Sequence, residues 1–420
     1  ITFGNTSSLA FERALVGTTN QITATDGGAN GNFTLSLPST LIFPGTASVT
    51  TSPGTGSTGL PTAGPATGST AGQGTSETPG TPSPGSPVPV TARLVKISAG
   101  PVVPGEAVLS RKGTASTSPE TVVNFIERQS GNVFSYSTLT KTLSRTSNKT
   151  LPGIQSASWL PNGLVAFVRY LSGTDLSTIN TYALSSSGAG GFFLPQNLAD
   201  IAVASTSLLT LASGVNGSTI STVRTDGTRT SLVSVTPLSS VRISFAGKNQ
   251  YLLYTKPSAS LAGDAFLVDS TGRFSRVAGP LNGLVALASP SGKWVLVSYS
   301  LDGAMQMKII NSLTGDSFQL PVATLADKCV WARNDSALYC GIPMSPSSFN
   351  NYPDDWYQGV VHFSDRLWKI DVAGRYAQLI LDFTKETTLS LDAEALAIDS
   401  LGTTLVFVNK NDSSLWVYSL

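Results

Sequence analysis

The densest collection of chemically useful side chains lies in MSPSSFNNYPDDWYQGVVHF, which holds Phe349, Tyr352, Asp354, Asp355, Trp356, Tyr357, Gln358 and His362, the only histidine of the chain. Aromatic rings beside carboxylates and amides can form a recognition surface, stacking on a sugar or on a partner's apolar side chains. The same rings can do the opposite job. Trp356 and Tyr357 could cap a core under a long loop, hidden from any ligand. The two readings separate on one double variant: Trp356→Ala with Tyr357→Ala abolishes binding at little cost in melting temperature if the rings recognise, and costs much stability if they cap.

Catalytic chemistry finds less support. Asp354 and Asp355 raise glycoside hydrolysis, which needs two carboxyl groups about 5–10 Å apart across the bond, and adjacent residues seldom converge in that way. Asp365 or Asp371 would have to supply the second group. Serine chemistry has a single histidine and no Gly-x-Ser-x-Gly elbow to work with. Asn409-Lys410-Asn411-Asp412 and Asp226-Gly227 read as strand turns rather than the alternating oxygen ligands of a calcium loop, so no metal or other cofactor is expected. The expected class is therefore a binding protein rather than an enzyme, with a propeller glycosidase or lyase as the rival.

Cys329 and Cys340 are the only cysteines. A turn centred on Asn334-Asp335 sets them directly opposite each other on two antiparallel strands, at a spacing a disulfide accepts. In an oxidising compartment the bridge forms; in a reducing one the pair would be two buried thiols.

The elements that must position these residues repeat. Leu284 to Tyr299, LVALASPSGKWVLVSY, reads as a hairpin: an apolar run, a turn carrying Pro290 and Gly292, and an alternating run led by Trp294. Weaker copies place Trp159, Val203, Phe245, Ala288 and Trp331 before their turns, at steps of 44, 42, 43 and 43. A period near 43 fits four short strands, one β-propeller blade. Leu109 adds an earlier copy at a step of 50 and Ile398 a later one at a step of 67, making seven. The long last step places an insertion near Pro343 to His362. Blade one is complete with strands near 107–110, 122–127, 133–137 and 143–145, whereas the last copy is one strand short. Leu94 to Ser98 is expected to fill that gap and close the ring, removing its exposed edges. The tryptophans near repeat positions are expected to pack between blades.

The fold class is thus all-β: a seven-bladed β-propeller over 92–420, preceded by a small β module over 1–43 and a disordered low-complexity linker over 44–91. In the module, Gln21 to Thr25 and Phe33 to Leu37 alternate around an Asp26-Gly27-Gly28 turn. The linker sets its prolines among Gly, Ser and Thr, with Glu77 the only charge, and reads as an extended spacer or an O-glycosylated stalk. Charged residues make up 12% of the chain and the net charge is +1, so nothing points to nucleic acid or to an anionic membrane as partner. No apolar run is long enough for a transmembrane segment. The chain starts at Ile1 without a leader, as expected of an internal fragment or of a protein whose signal peptide has been removed.

Two resemblances attach to these residues. SPSGKWVLV is similar to the SPDG-K-apolar hairpin of TolB-like and WD-type propeller blades, with Ser291 where Asp is usual. KCVWARNDSALYC, YPDDWYQGVVHFSDRLWKID and FVNKNDSSLWVYSL resemble uncharacterised propeller proteins of candidate-phylum bacteria, over about 93–420. Separately, GTTNQITATDGGANGNFTLSLP resembles the short modules of phage tail fibres and other trimeric β-fibres, which implies trimerisation through residues 1–43. Together they imply an exported protein at the cell surface or in the bacterial envelope, or a phage-type fibre, that presents a propeller on a stalk to a protein or glycan partner.

Overall fold

The computed structural model describes residues 92–112, 119–347 and 350–420, together with the backbone of four short strands nearer the N-terminus. The chain divides into two compact units, Ile1–Ser86 and Pro87–Leu420. In the first, Thr23–Asp26 pairs antiparallel with Phe33–Ser36, matching the alternation around the Asp26-Gly27-Gly28 turn. A second hairpin joins Thr40–Ile42 to Ser48–Thr50 and crosses residue 43, the expected boundary between module and linker. Residues 44–47 and 51–91 of that linker, and Phe349 of the insertion, lie outside the described residues.

The second unit is a seven-bladed β-propeller of four-stranded antiparallel sheets. Its inner strands are Ala107–Lys112, Ile154–Trp159, Leu198–Val203, Val241–Phe245, Val285–Ala288, Cys329–Trp331 and Ala393–Ile398. Six of the seven repeat anchors are the last residues of these strands, because the tight turn after each one is the most regular feature of a blade. The seventh sheet is completed by the N-terminal end of the unit: Leu94–Lys96 pairs with Ser414–Ser419, Val95 opposite Val417. Pairing of chain ends closes the ring, and the Ile97 N–H donates to Leu415 O at 2.9 Å beyond the strand proper.

Packing between blades explains the recurrent tryptophans. Trp159 Nε1 donates to Gly105 O of the preceding blade at 3.1 Å, and Trp331 Nε1 to Leu287 O at 3.3 Å. Such rings bury apolar area while their one polar atom finds a neighbouring backbone. Gly105 itself has φ +101°, and a Cβ there would sit 1.9 Å from Ala157 O, so only glycine lets blade one approach blade two. Cys329 and Cys340 face each other in register in blade six, with Cα atoms 4.1 Å apart and the sulfurs bonded at 2.11 Å.

Every inner strand starts on one face of the disk and ends on the other, so the loop between second and third strands returns to the starting face. That topology fixes the insertion. It lies between Ala337–Pro343 and Asp365–Asp371, the second and third strands of blade six, and is therefore on the starting face.

Candidate functional site

The insertion packs inward. Tyr352, Trp356 and Phe363 keep only 1%, 3% and 5% of their surface and form a cluster with Met305 and Leu325. A short helix, Asp354–Tyr357, aims Trp356 into this cluster. The reading of Tyr352 and Trp356 as ligand-stacking rings is corrected accordingly: each ring gains roughly 1.5–3 kcal/mol by leaving water, and the loop has a core beneath it to supply that burial. Tyr357 is half-buried, its hydroxyl donating to Asp327 at 2.6 Å. Asp355 accepts the Asn351 N–H at 2.8 Å, and Asp354 accepts the Ala259 N–H from blade four, so both carboxylates hold the loop in place. Gln358 and His362 are exposed. His362 borders a groove of about 480 Å³ with Ser364, Leu389, Asn411 and Asp412.

Beneath the insertion lies a charged group that the sequence does not announce. Lys328, Asp365 and Asp392 are all wholly buried, with Lys328 Nζ 2.8 Å from Asp365 and in contact with Asp392. Nζ also donates to Ala393 O at 3.1 Å. Asp392 accepts from Trp356 Nε1 at 3.0 Å and from the Phe363 N–H at 2.9 Å, tying the cap to the core. Desolvation, reinforced by Asp392 and opposed by Lys328, lifts the Asp365 carboxyl to about 6.

The axis of the propeller has two chemically different ends. At the starting face the inner strands bring charges together. Arg169 reaches from blade two to the carbonyls of Leu198 and Ala199 at 2.5 and 3.2 Å, beside Asp200 of blade three. Asp200 accepts the Ile243 N–H of blade four at 3.0 Å, and Arg242 lies 3.6 Å from Asp327 of blade six, over the Tyr357 ring. Burial works against the Arg242 charge, but Tyr254, Asp327, Tyr357 and Asp200 outweigh it and hold its pKa up. On the far side of the axis, Glu394 of blade seven pairs with Lys410 at 3.6 Å. Glu106, at the start of blade one, has both carboxylate oxygens buried without a hydrogen-bond partner. Burial first and the Glu394 charge second push it well above the ordinary carboxylate range. Its folded form holds its proton more tightly than the unfolded chain, so its charge weakens the fold progressively as pH rises above 4.5. Glu106→Gln is expected to stabilise the protein by about 1–2 kcal/mol at neutral pH and by nothing at pH 4, read from melting curves at both pH values. Equal melting shifts at the two pH values would refute this.

At the opposite end the last residues of the inner strands form an apolar mouth. Val203, Phe245, Leu287, Ala288, Trp331 and Ile398 line a cavity of about 760 Å³. The turns around it carry Lys248, Lys293 and Arg333, all exposed, and among the described residues none of the three forms an ion pair. The carboxylates of these turns are buried and taken up: Asp335 by Ser289 Oγ at 2.8 Å and the Ser291 N–H at 3.2 Å, and Asp399 by Ser110 Oγ at 3.0 Å and the Thr403 and Thr404 N–H groups at 2.7 and 2.9 Å. Among the described residues no three His, Cys, Asp or Glu side chains converge as a metal site.

No protein-family model matches this sequence, and no curated protein matches it. Solved structures do share its architecture. An oligogalacturonate lyase in complex with manganese superposes with a TM-score of 0.50 at 8% identity, covering 76% of this chain and 98% of that one. An oligogalacturonate lyase from Vibrio parahaemolyticus gives 0.53 at 9% identity, covering 78% and 93%. TolB from Acinetobacter baumannii gives 0.41 at 12% identity, covering 65% and 62%. At such identities the likeness to the two lyases is one of fold.

Proposed function

We propose that this is an exported or surface-displayed binding protein that recognises another protein through the mouth of its propeller axis. The observation that carries the reading is the pairing of an apolar cavity of about 760 Å³ with Arg333 in its wall and with Lys248 and Lys293 on the turns that bound it, none of the three in an ion pair among the described residues. An apolar floor suits a peptide's side chains better than a sugar's hydroxyls, which would lose hydrogen bonds to water there. The cationic rim selects an acidic segment and steers its approach. The disulfide in blade six is compatible with an oxidising compartment, and no helix among the described residues is long and apolar enough to cross a membrane. Trimerisation through residues 1–43, inferred from the fibre-like module, would multiply avidity for a repeated partner.

A peptide array probed with the full chain tests this. Peptides with an apolar residue flanked by Asp or Glu should be retained, and Lys293→Glu with Arg333→Glu should weaken them about tenfold, mainly through slower association. Both side chains are exposed, so the melting temperature should hold. Unchanged binding by the charge-reversed protein would sink the proposal.

The rival reading, a propeller glycosidase or lyase, is favoured by one feature, the unpaired Glu106 carboxylate beside Glu394. Turnover of an acidic oligosaccharide that Glu106→Gln abolishes would establish it in place of binding.

A further inference from the structure

The group formed by Lys328, Asp365 and Asp392 has more order than an ion pair needs. We propose that Lys328 Nζ and Asp392 Cγ condense into an intramolecular isopeptide bond, with Asp365 carrying the protons. Three features of the geometry support the step.

The first is placement. Nζ touches the Asp392 carboxylate at Oδ1 and is held there by Ala393 O at 3.1 Å and Asp365 Oδ2 at 2.8 Å. Reacting groups fixed in contact behave as if present at very high concentration. The second is stabilisation of charge. Asp392 Oδ2 faces two donors, Trp356 Nε1 at 3.0 Å and the Phe363 N–H at 2.9 Å, which are placed to hold the negative oxygen of a tetrahedral intermediate. The third is the environment. All three charged side chains have no exposed surface, and Nζ lies 5.1 Å from the centres of both the Trp356 and Phe363 rings. Burial works against the Lys328 charge, but Asp365 and Asp392 outweigh it and hold its pKa up, so the ion pair is the resting state and the nucleophilic amine arises only by proton transfer within this water-free group. Asp365, whose Oδ1 has no partner, is the group free to take and return a proton.

The step balances. One proton of the Lys328 ammonium passes to Asp365, and the freed Nζ lone pair attacks Asp392 Cγ. The intermediate collapses as the Cγ–Oδ1 bond breaks, and Oδ1 departs as water carrying two protons that began on Nζ, relayed through Asp365. An ammonium and a carboxylate thus become a neutral amide and one water, with no oxidant, cofactor or activated donor. In the product the amide N–H donates to Asp365, and the amide oxygen keeps its two donors from Trp356 and Phe363. The bond closes a loop of sequence separation 64 that spans blade six and its insertion, joining the start of that blade to the start of blade seven.

The intact mass of the purified full chain, reduced and denatured, is the deciding measurement. The expected mass is that of the sequence minus one water, and proteolysis should release a branched peptide joining the segment around Lys328 to that around Asp392. Full sequence mass in folded, aged protein would overturn the proposal, as would a water loss without the branched peptide. Asp365→Asn should fold and keep its full mass; if it loses water like the wild type, Asp365 is not the proton carrier. Trp356→Phe, which keeps the ring and removes one donor, should form the bond more slowly. Should either variant fail to fold, the wild-type mass and its branched peptide still support or overturn the bond by themselves.

Discussion

Lys328→Met is expected to destabilise the propeller by about 3–5 kcal/mol, the penalty for leaving buried charge without its partner. The reason is local. Asp365 and Asp392 have no exposed surface, and Met offers neither carboxylate a donor. The deficit should depend on pH with a definite sign. In the ion-paired form, before any amide closes, Asp365 titrates near 6 beside the Lys328 cation. Without the cation the Asp365 carboxyl moves further up, so its share of the loss is full at neutral pH and shrinks as acid protonates it. Lys328→Met combined with Asp365→Asn and Asp392→Asn should recover much of the stability, because a neutral polar group costs less to bury than a lone charge. Melting curves of the three proteins across pH check this, and a single variant within about 1 kcal/mol of wild type would refute it.

Trp356→Ala should cost a similar amount, about 3–5 kcal/mol, through the cavity left among Tyr352, Phe363, Met305 and Leu325. Asp392 would also lose its indole donor. Binding by the folded fraction should survive, because the ring lies inside the protein on the face opposite the apolar mouth. Gln358→Ala and His362→Ala, at exposed positions of the same insertion, should stay within about 0.5 kcal/mol of wild type. The opposite pattern, an unchanged melting temperature for Trp356→Ala with binding lost, would return the insertion to the role of a recognition loop.

These two residues also mark where sequence reading stops. Periodicity exposes what repeats: Trp159, Val203, Phe245, Ala288 and Trp331 end inner strands because each blade needs the same turn at the same place. Complementarity of the two ends exposes the closure, since a last sheet one strand short requires Leu94–Lys96. A symmetric turn exposes the cysteine pairing. None of these signals reports on groups assembled from segments far apart. Lys328 and Asp392 stand in the connections just before two inner strands and Asp365 opens the third strand of blade six; nothing in the sequence links the three, and only the fold makes them one cluster. The same holds for Glu106, Asp200, Arg242 and Glu394, whose convergence follows from standing near the starts of inner strands in different blades. Trp356 misleads for another reason: an aromatic-rich loop looks alike whether it faces solvent or a core, and the shape beneath it decides. The mouth was legible in part, for the anchor residues that define the repeat are also those that line it.

The most direct test of the functional account is hydrogen exchange on the full chain, free and saturated with the peptide that binds it best. Protection should appear at 203–205, 287–290, 331–333 and 396–398, the turns and strand ends around the mouth. The exposed part of the insertion, 358–362, should exchange as before. Protection confined to 358–362, with the mouth unchanged, would contradict the account and place recognition on the opposite face.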